Sequence, residues 1–237
     1  MHDYYRKSIP KLKKSMHSLL KYIRRELEQD TGKTYEELLP EIWQEYQDNM
    51  LEYFPYIGGD KISGTKNLTG SYVFFAMGEV LKRYGKNTEH VGHLMVLAHS
   101  RQTEAMPAFV KAIAGKVVTN PRILQKMFMK KDAKNAVNAA ENPGSFETKV
   151  QKPTDEYPFI YHNLVCPISD FAKKHGYEEY MPYLCNLDYA MFSVLGAPLY
   201  RTHTCFADGD YCDFCIKPGG EIMKAWPPVY TQGKGFK

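Results

Sequence analysis

Residues 157–167 read Tyr-Pro-Phe-Ile-Tyr-His-Asn-Leu-Val-Cys-Pro, and this stretch decides the fold class. Its side chains alternate, with Phe159 and Tyr161 on one side and Ile160 and His162 on the other, which is typical of a β-strand over residues 157–165. The proline that follows is favoured in the first turn of a helix. The chain therefore changes from strand to helix at Cys166, and residues 146–152 are expected to supply a neighbouring strand.

The residues before this stretch predict a helical half. A first helix follows from the spacing of its apolar residues, which are Leu12, Met16, Leu19, Leu20, Ile23 and Leu27. Ser8 and Pro10 mark its expected start and Gly32 its end. Thr34 and Glu37 form a capping box that opens a second helix. Further helices are predicted over residues 68–84, from Thr88 to about 101, over 105–115, and from Pro121 to about 140.

The residues after the stretch predict two short helices and a hairpin. The helices cover residues 167–175 and 178–195, and Gly176 and Gly196 end them. The hairpin strands cover 199–206 and 211–217 and turn at Asp208-Gly209, a favoured type I′ pair. The fold class is therefore α+β, with a helical N-terminal half packed on a small antiparallel sheet that carries inserted helices.

Composition indicates a globular protein with a local basic segment. Of the net charge of +4, residues 1–25 hold eight Lys or Arg against one Asp, so the remainder carries about −3. We interpret this segment as a solvated helix face and expect no nucleic-acid partner. We divide the chain into a basic helical extension, residues 1–32, and one α+β domain, residues 33–237. The sequence contains no run of 18 apolar residues, so we predict no membrane span. The five cysteines indicate reduced thiols and a cytoplasmic location.

The hairpin predicts a first group of candidate site residues. With a turn at 208–209, the residue numbers of each cross-strand pair add up to 417, so Cys205 faces Cys212. Alternation then places one set on a single face, namely Arg201, His203, Cys205 and Cys212. The opposite face receives Thr202, Thr204, Asp213 and Cys215.

The predicted helix over 178–195 contributes a second group. Cys185 and Asp188 are three residues apart, so they share a helix face with Tyr189 beside them. Asp188 lies among apolar residues, where an ionised carboxylate needs a partner. We expect it to pair with Arg201 or backbone donors, or to act on a substrate. Cys185 is equally well explained as a small buried side chain.

Cys166 is the strongest candidate nucleophile from its position. It precedes Pro167 and so occupies a helix N-cap, where backbone N–H groups lower the pKa of a thiol. His162 or His203 could serve as its base. A purely structural cap is the alternative.

Two further features are weaker indications of a functional site. His90, His93 and His99 suggest zinc, but 99 is offset from the other two and no acid completes a site, so surface or core histidines are favoured. Asn67 and Thr69 open a predicted helix, which they could cap or whose N-terminus could receive a carboxylate.

Several segments together resemble the L-2-amino-thiazoline-4-carboxylic acid hydrolase family. They are Pro55-Tyr56-Ile57-Gly58-Gly59, Asn67-Leu68-Thr69, Leu81-Lys82-Arg83-Tyr84-Gly85, Asn163-Leu164-Val165-Cys166-Pro167, Cys185-Asn186-Leu187-Asp188-Tyr189 and Gly209-Asp210-Tyr211-Cys212-Asp213-Phe214. The similarity spans about residues 50–217. It implies hydrolytic opening of a cyclic amidine to a carbamoyl-cysteine, with matched positions at Cys166, Cys185, Asp188, Cys212 and Asp213. The Gly-x-x-Cys-x-Phe pattern also resembles, more distantly, ligand-binding domains of the four-vinyl-reductase type.

Our hypothesis is a cofactor-free hydrolase acting on a small carboxylated heterocycle. Arg201 pairs with the carboxylate, and either Cys166 attacks the ring carbon or Asp188 activates a water. Asp213 or His203 protonates the leaving atom, while four residues bind substrate or shape the pocket: Asn67, Cys185, Tyr189 and Cys212.

Three alternatives stay open. They are a non-catalytic small-molecule-binding module, a zinc held by Cys185, Cys205, Cys212 and His203, and a partner or membrane docked on the basic helix. A homodimer is a further option.

Overall fold

The computed structural model describes residues 1–207 and 210–228, and its first half is helical. Seven α-helices make up this half: α1 Asp3–Leu20, α2 Arg24–Thr31, α3 Tyr35–Asn49, α4 Gly64–Arg83, α5 Thr88–Glu104, α6 Ala108–Val118 and α7 Pro121–Glu141. In the C-terminal half, the described residues add three short helices: α8 Pro167–His175, α9 Met181–Cys185 and α10 Leu187–Val194. They also form four strands: β1 Glu147–Val150, β2 Phe159–Val165, β3 Leu199–Tyr200 and β4 Cys212–Ile216. The predicted α+β class is confirmed.

The first helix begins earlier than its sequence signals indicated. His2 is the N-cap, and its Nδ1 accepts the N–H of Tyr4 at 3.2 Å. Pro10 lies inside the helix, so the predicted start at Ser8 and Pro10 is wrong. The apolar face extends back to Tyr5, which is buried and donates its hydroxyl to the carbonyl of Pro55 at 2.8 Å. This packing outweighs the hydrogen bond that a proline cannot make.

Other helix ends show which local signals were sufficient. The capping box of Thr34 and Glu37 is confirmed at the start of α3. The predicted cap at Thr88 is wrong, because the Asn87 carboxamide accepts the N–H of His90 at 2.8 Å. Gly176 ends α8 in the left-handed conformation, as expected from glycine at that position.

The helix predicted over 178–195 is divided. A short 3-10 turn leads into α9, and Asn186 separates α9 from α10. The Asn186 side chain is buried and donates to the carbonyl of Ala225, so the residues after β4 are held against this break.

The sheet is antiparallel with strand order β1-β2-β4-β3. In the central pair, Tyr161 lies opposite Phe214 and His162 opposite Asp213. The side chains of Phe159, Tyr161, Cys212, Phe214 and Ile216 face the buried side. This side of the sheet packs toward the helices, and the second side carries His162 and Asp213.

The predicted hairpin register is wrong. Tyr200 pairs with Cys215, so the residue numbers of each pair add up to 415 and not 417. Strand β3 ends after two residues. The strand alternation used to assign faces does not hold from Arg201 onward, because the chain leaves the sheet there. The expected turn at Asp208-Gly209 lies outside the described residues.

The helical half and the sheet share one hydrophobic core. Residues of the basic first helix, among them Leu12 and Met16, belong to the same cluster as Tyr72 and Phe214. None of the helices in the described residues has the length and apolar character that crossing a bilayer demands.

Candidate active site

The centre of the site is a buried arginine held by the break between α9 and α10. Arg201 Nη1 donates to Asp188 Oδ2 at 2.7 Å and to the carbonyl of Cys185 at 2.9 Å. The Arg201 side chain is 1% exposed, whereas that of Asp188 is 38% exposed. Burial disfavours the guanidinium charge, but the Asp188 carboxylate outweighs it and the pKa of Arg201 is raised. The predicted pairing of Asp188 with Arg201 is thus present.

One edge of the guanidinium is unused. Arg201 Nε is buried and has no hydrogen-bond partner among the described residues. A buried donor without a partner costs free energy unless a ligand or water meets it. The planar guanidinium fork suits a carboxylate.

An aromatic pair supports the arginine from the sheet. The Arg201 guanidinium carbon lies 4.4 Å from the centroid of the Phe214 ring, which stacks on Tyr161 at 4.4 Å between centroids. Lys131 of α7 also lies near these rings, with its Nζ 5.9 Å from the Tyr161 centroid. Burial lowers the pKa of Lys131, and the neighbouring acids Asp132 and Asp188 oppose this effect. Two cations therefore lie close to the stacked rings.

Cys205 and Cys212 are in contact next to the arginine. The Cys205 N–H donates to Cys212 Sγ at 3.2 Å, and Cys205 Sγ donates to the carbonyl of Asn163 at 3.2 Å. Hydrogen bonding from Cys205, together with the Arg201 charge, lowers the pKa of Cys212 to about 7 against the effect of burial. The pKa of Cys205 is raised by the same contact.

The other two predicted site thiols, Cys166 and Cys185, have raised pKa values. Cys166 is the N-cap residue of α8, as predicted. However, burial raises the pKa of the Cys166 thiol to about 12, and Cys212 adds to this effect, while the N–H groups of Ser169 and Ile168 only partly oppose it. The predicted lowering of the Cys166 pKa is therefore wrong, because desolvation exceeds the helix-end effect. Burial also raises the pKa of Cys185 well above its ordinary value.

Asp213 and His203 lie on the opposite side of the sheet from Arg201. Asp213 accepts the N–H of Thr202 at 2.9 Å, the Thr202 hydroxyl at 2.7 Å and the N–H of His203 at 2.7 Å. His203 stacks on Tyr211 at 4.9 Å between ring centroids. The prediction that His203 shares a face with Arg201 and Cys212 is wrong. Asp213 holds the loop that carries Arg201 out of β3.

The remaining predicted residues divide between the site and the surface. Tyr189 is buried on α10 next to Asp188, and burial raises its pKa to about 12. Asn67 is exposed on α4, where its carbonyl accepts from Ser71, and none of its described contacts reaches Arg201. The helix start predicted at Asn67 is displaced, because α4 begins at Gly64.

The three histidines of α5 are separated in the structure. His90 Nε2 lies 2.5 Å from Asp30 Oδ2, and His93 packs against Trp226 at 4.7 Å between ring centroids. Burial lowers the pKa of His99, and the charge of Asp188 acts in the opposite direction. The charge of Asp188 therefore reaches His99, a relationship that the helical spacing did not indicate.

The donor sets considered for zinc are not assembled. In the part of the chain that the structure describes, no three His, Cys, Asp or Glu side chains are grouped as metal ligands. In particular, His203 is separated by the sheet from Cys185, Cys205 and Cys212.

The solvent-exposed part of the ion pair is the Asp188 carboxylate. Two surface clefts, one beside Pro121 and Pro218 and the other beside Pro40 and Arg83, include neither Arg201 nor Asp188 in their walls. In the ion pair of Arg201 and Asp188, the arginine is buried and Asp188 is in contact with solvent.

A protein family matches the part of the chain that carries these residues. The family model described as L-2-amino-thiazoline-4-carboxylic acid hydrolase matches residues 69–216, a span that contains Arg201, Asp188 and all five cysteines. No curated protein and no solved structure matches the chain.

Proposed function

Because the chain belongs to the L-2-amino-thiazoline-4-carboxylic acid hydrolase family, we propose that it hydrolyses a small carboxylated cyclic amidine, 2-amino-thiazoline-4-carboxylate or a close relative. The single observation that supports this proposal most directly is the buried Arg201 with its unpartnered Nε beside the half-exposed Asp188. The first group suits the substrate carboxylate and the second suits a reacting water.

The arginine serves in substrate binding. Its Nη1 is already committed to Asp188 and Cys185, so a substrate carboxylate meets the Nε edge. A cation held in a buried, fixed position loses little side-chain freedom when the substrate binds, which favours affinity. Lys131 contributes a second positive charge near the same carboxylate.

Asp188 serves as general base in the proposed reaction. It removes a proton from a water whose oxygen bonds to the ring carbon between the two heteroatoms. The ring bond from that carbon to sulfur or nitrogen then breaks, and Asp188 returns the proton to the leaving atom. Water is added and nothing else is lost, so a carbamoyl amino acid is the product. Breaking the carbon–sulfur bond gives an N-carbamoyl product, and breaking the carbon–nitrogen bond gives an S-carbamoyl product.

In this proposal the thiols of Cys166 and Cys185 lie beside the bound ring. The raised pKa values of Cys166 and Cys185 favour neutral thiols, which are weaker nucleophiles than thiolates. The water route is therefore favoured over attack by Cys166.

Turnover of 2-amino-thiazoline-4-carboxylate, followed by mass spectrometry, tests the function. We expect a product heavier than the substrate by one water, with full activity in Cys166→Ala. Stoichiometric binding without any product would contradict the hydrolase and favour a ligand-binding module.

A further inference from the structure

The helical hairpin of α6 and α7 has an apolar outer surface. Nine large hydrophobic side chains are exposed in the described residues, and six of them lie here, with exposures between 40% and 68%. They are Phe109, Ile113, Ile123, Met127, Met129 and Val137. Helix α6 contributes no buried residue to the core. Scattered exposed hydrophobics are common, but a concentration in one hairpin indicates a binding surface.

The same hairpin is strongly basic. Residues 108–141 contain seven Lys or Arg and two acidic residues, a net charge of +5. One of the two acids, Asp132, is turned inward, where it accepts the Thr148 hydroxyl at 2.6 Å and the N–H of Val150 at 2.7 Å. The other, Glu141, is the last residue of α7. The solvent-facing part of the hairpin is therefore almost entirely cationic and apolar.

The two properties are interleaved on one helix face. Ile123, Met127, Lys130, Lys134 and Val137 recur at spacings of four, three, four and three residues, which places them along a single stripe of α7. Helix α6 repeats this arrangement with Phe109, Ile113 and Lys116. Lysine can extend its charged end while its aliphatic stem stays with the apolar neighbours.

We propose that the hairpin of α6 and α7 docks on an anionic lipid surface. Apolar side chains enter the boundary between headgroups and acyl chains, and the lysines meet the negative headgroups. A second copy of the chain seated face to face on this surface would oppose one net charge of +5 with another, which disfavours that occupant. The basic first helix is a weaker candidate for the membrane contact, because its apolar face is buried in the core.

Flotation of the full-length protein with vesicles tests the docking. In about 0.1 M salt we expect wild type to float with phosphatidylcholine vesicles that contain 30% phosphatidylserine and to remain behind with pure phosphatidylcholine. Ile113→Ser with Met127→Ser, and separately Lys130→Glu with Lys134→Glu, are each expected to reduce the bound fraction at least tenfold. These positions are exposed, and far-UV circular dichroism is the check that the variants fold.

A matched variant tests the specificity of the surface. Lys7→Glu with Lys14→Glu removes the same charge from exposed positions of α1 and is expected to float like wild type. Failure of wild type to float, or loss of flotation only in the α1 variant, would overturn the proposal. So would a wild-type dimer that the hairpin variants convert to monomer, because a second copy would then cover this surface.

Discussion

Arg201 and Asp188 form an ion pair of 2.7 Å in which the two side chains differ in their access to solvent. The guanidinium is enclosed by Phe214 and the Cys185 carbonyl, and the carboxylate is partly exposed to solvent. The pair therefore fixes the carboxylate without removing it from water. This arrangement is what a general base that acts on a water molecule requires.

We predict that Asp188→Asn abolishes turnover and lowers the free energy of unfolding by about 2 kcal/mol. The substitution leaves the Arg201 charge buried and unpaired, but water at the half-exposed position offsets part of the cost. Urea denaturation measures the stability. Asp155→Asn, at an exposed position, is expected to change neither property. An Asp188→Asn enzyme of wild-type stability would contradict the pairing.

Asp213 and His203 should behave differently from Asp188. Asp213→Ala removes the acceptor for Thr202 and His203 backbone groups and is expected to cost about 2 to 3 kcal/mol of stability. His203→Ala is expected to keep wild-type kcat, because its ring lies across the sheet from Arg201. Loss of kcat in a fully folded His203→Ala protein would restore the proton-donor role that the sequence suggested.

The thiols should titrate in a different order from the one that helix position suggested. Because the pKa of Cys212 is lowered to about 7, its thiolate forms as the pH rises through that value. Modification by methyl methanethiosulfonate should therefore accelerate between about pH 6 and pH 8 at Cys212. Cys166, with a pKa of about 12, should stay slow over the same range. Peptide mass analysis distinguishes the sites, and faster labelling of Cys166 than of Cys212 at pH 7 would be inconsistent with the raised pKa of Cys166.

Gly92 positions the helix that ends in Cys185. A Cβ at Gly92 would lie 2.1 Å from the Tyr183 ring of α9, so Gly92→Ala is expected to destabilise the fold by about 1 to 3 kcal/mol. Gly70 is a matched control on α4 with no atom within 4 Å of its added Cβ. There, alanine should stabilise by about 0.5 to 1 kcal/mol. Thermal unfolding of the two variants should shift in opposite directions, and equal shifts would contradict the close contact.

Local signals predicted the elements well where local interactions decide them. The capping box at Thr34, the alternation of residues 159–165 and the glycine at 176 each act through near neighbours in the chain. The predicted α+β class followed from such features. The Asp188–Arg201 contact was one of the alternatives expected for an acid that lies among apolar residues.

Tertiary packing decided what local patterns could not. Arg201 leaves the sheet to reach Asp188 and Phe214, so the strand alternation that placed His203 beside it no longer applied. The pKa of Cys166 depends on burial by residues distant in sequence, which outweighs the helix end that the Cys-Pro pair indicated. Lys131 of α7 lies near Tyr161, although the sequence indicated only a charged residue on a helix.

The most direct test of the central claim is the mass of the product formed from 2-amino-thiazoline-4-carboxylate by wild type, Asp188→Asn and His203→Ala. We predict a gain of one water with wild type and His203→Ala, and no product with Asp188→Asn. Equal turnover by Asp188→Asn would remove Asp188 as the base while leaving the family's reaction in place. No product from the folded wild-type protein would contradict the proposed hydrolase itself.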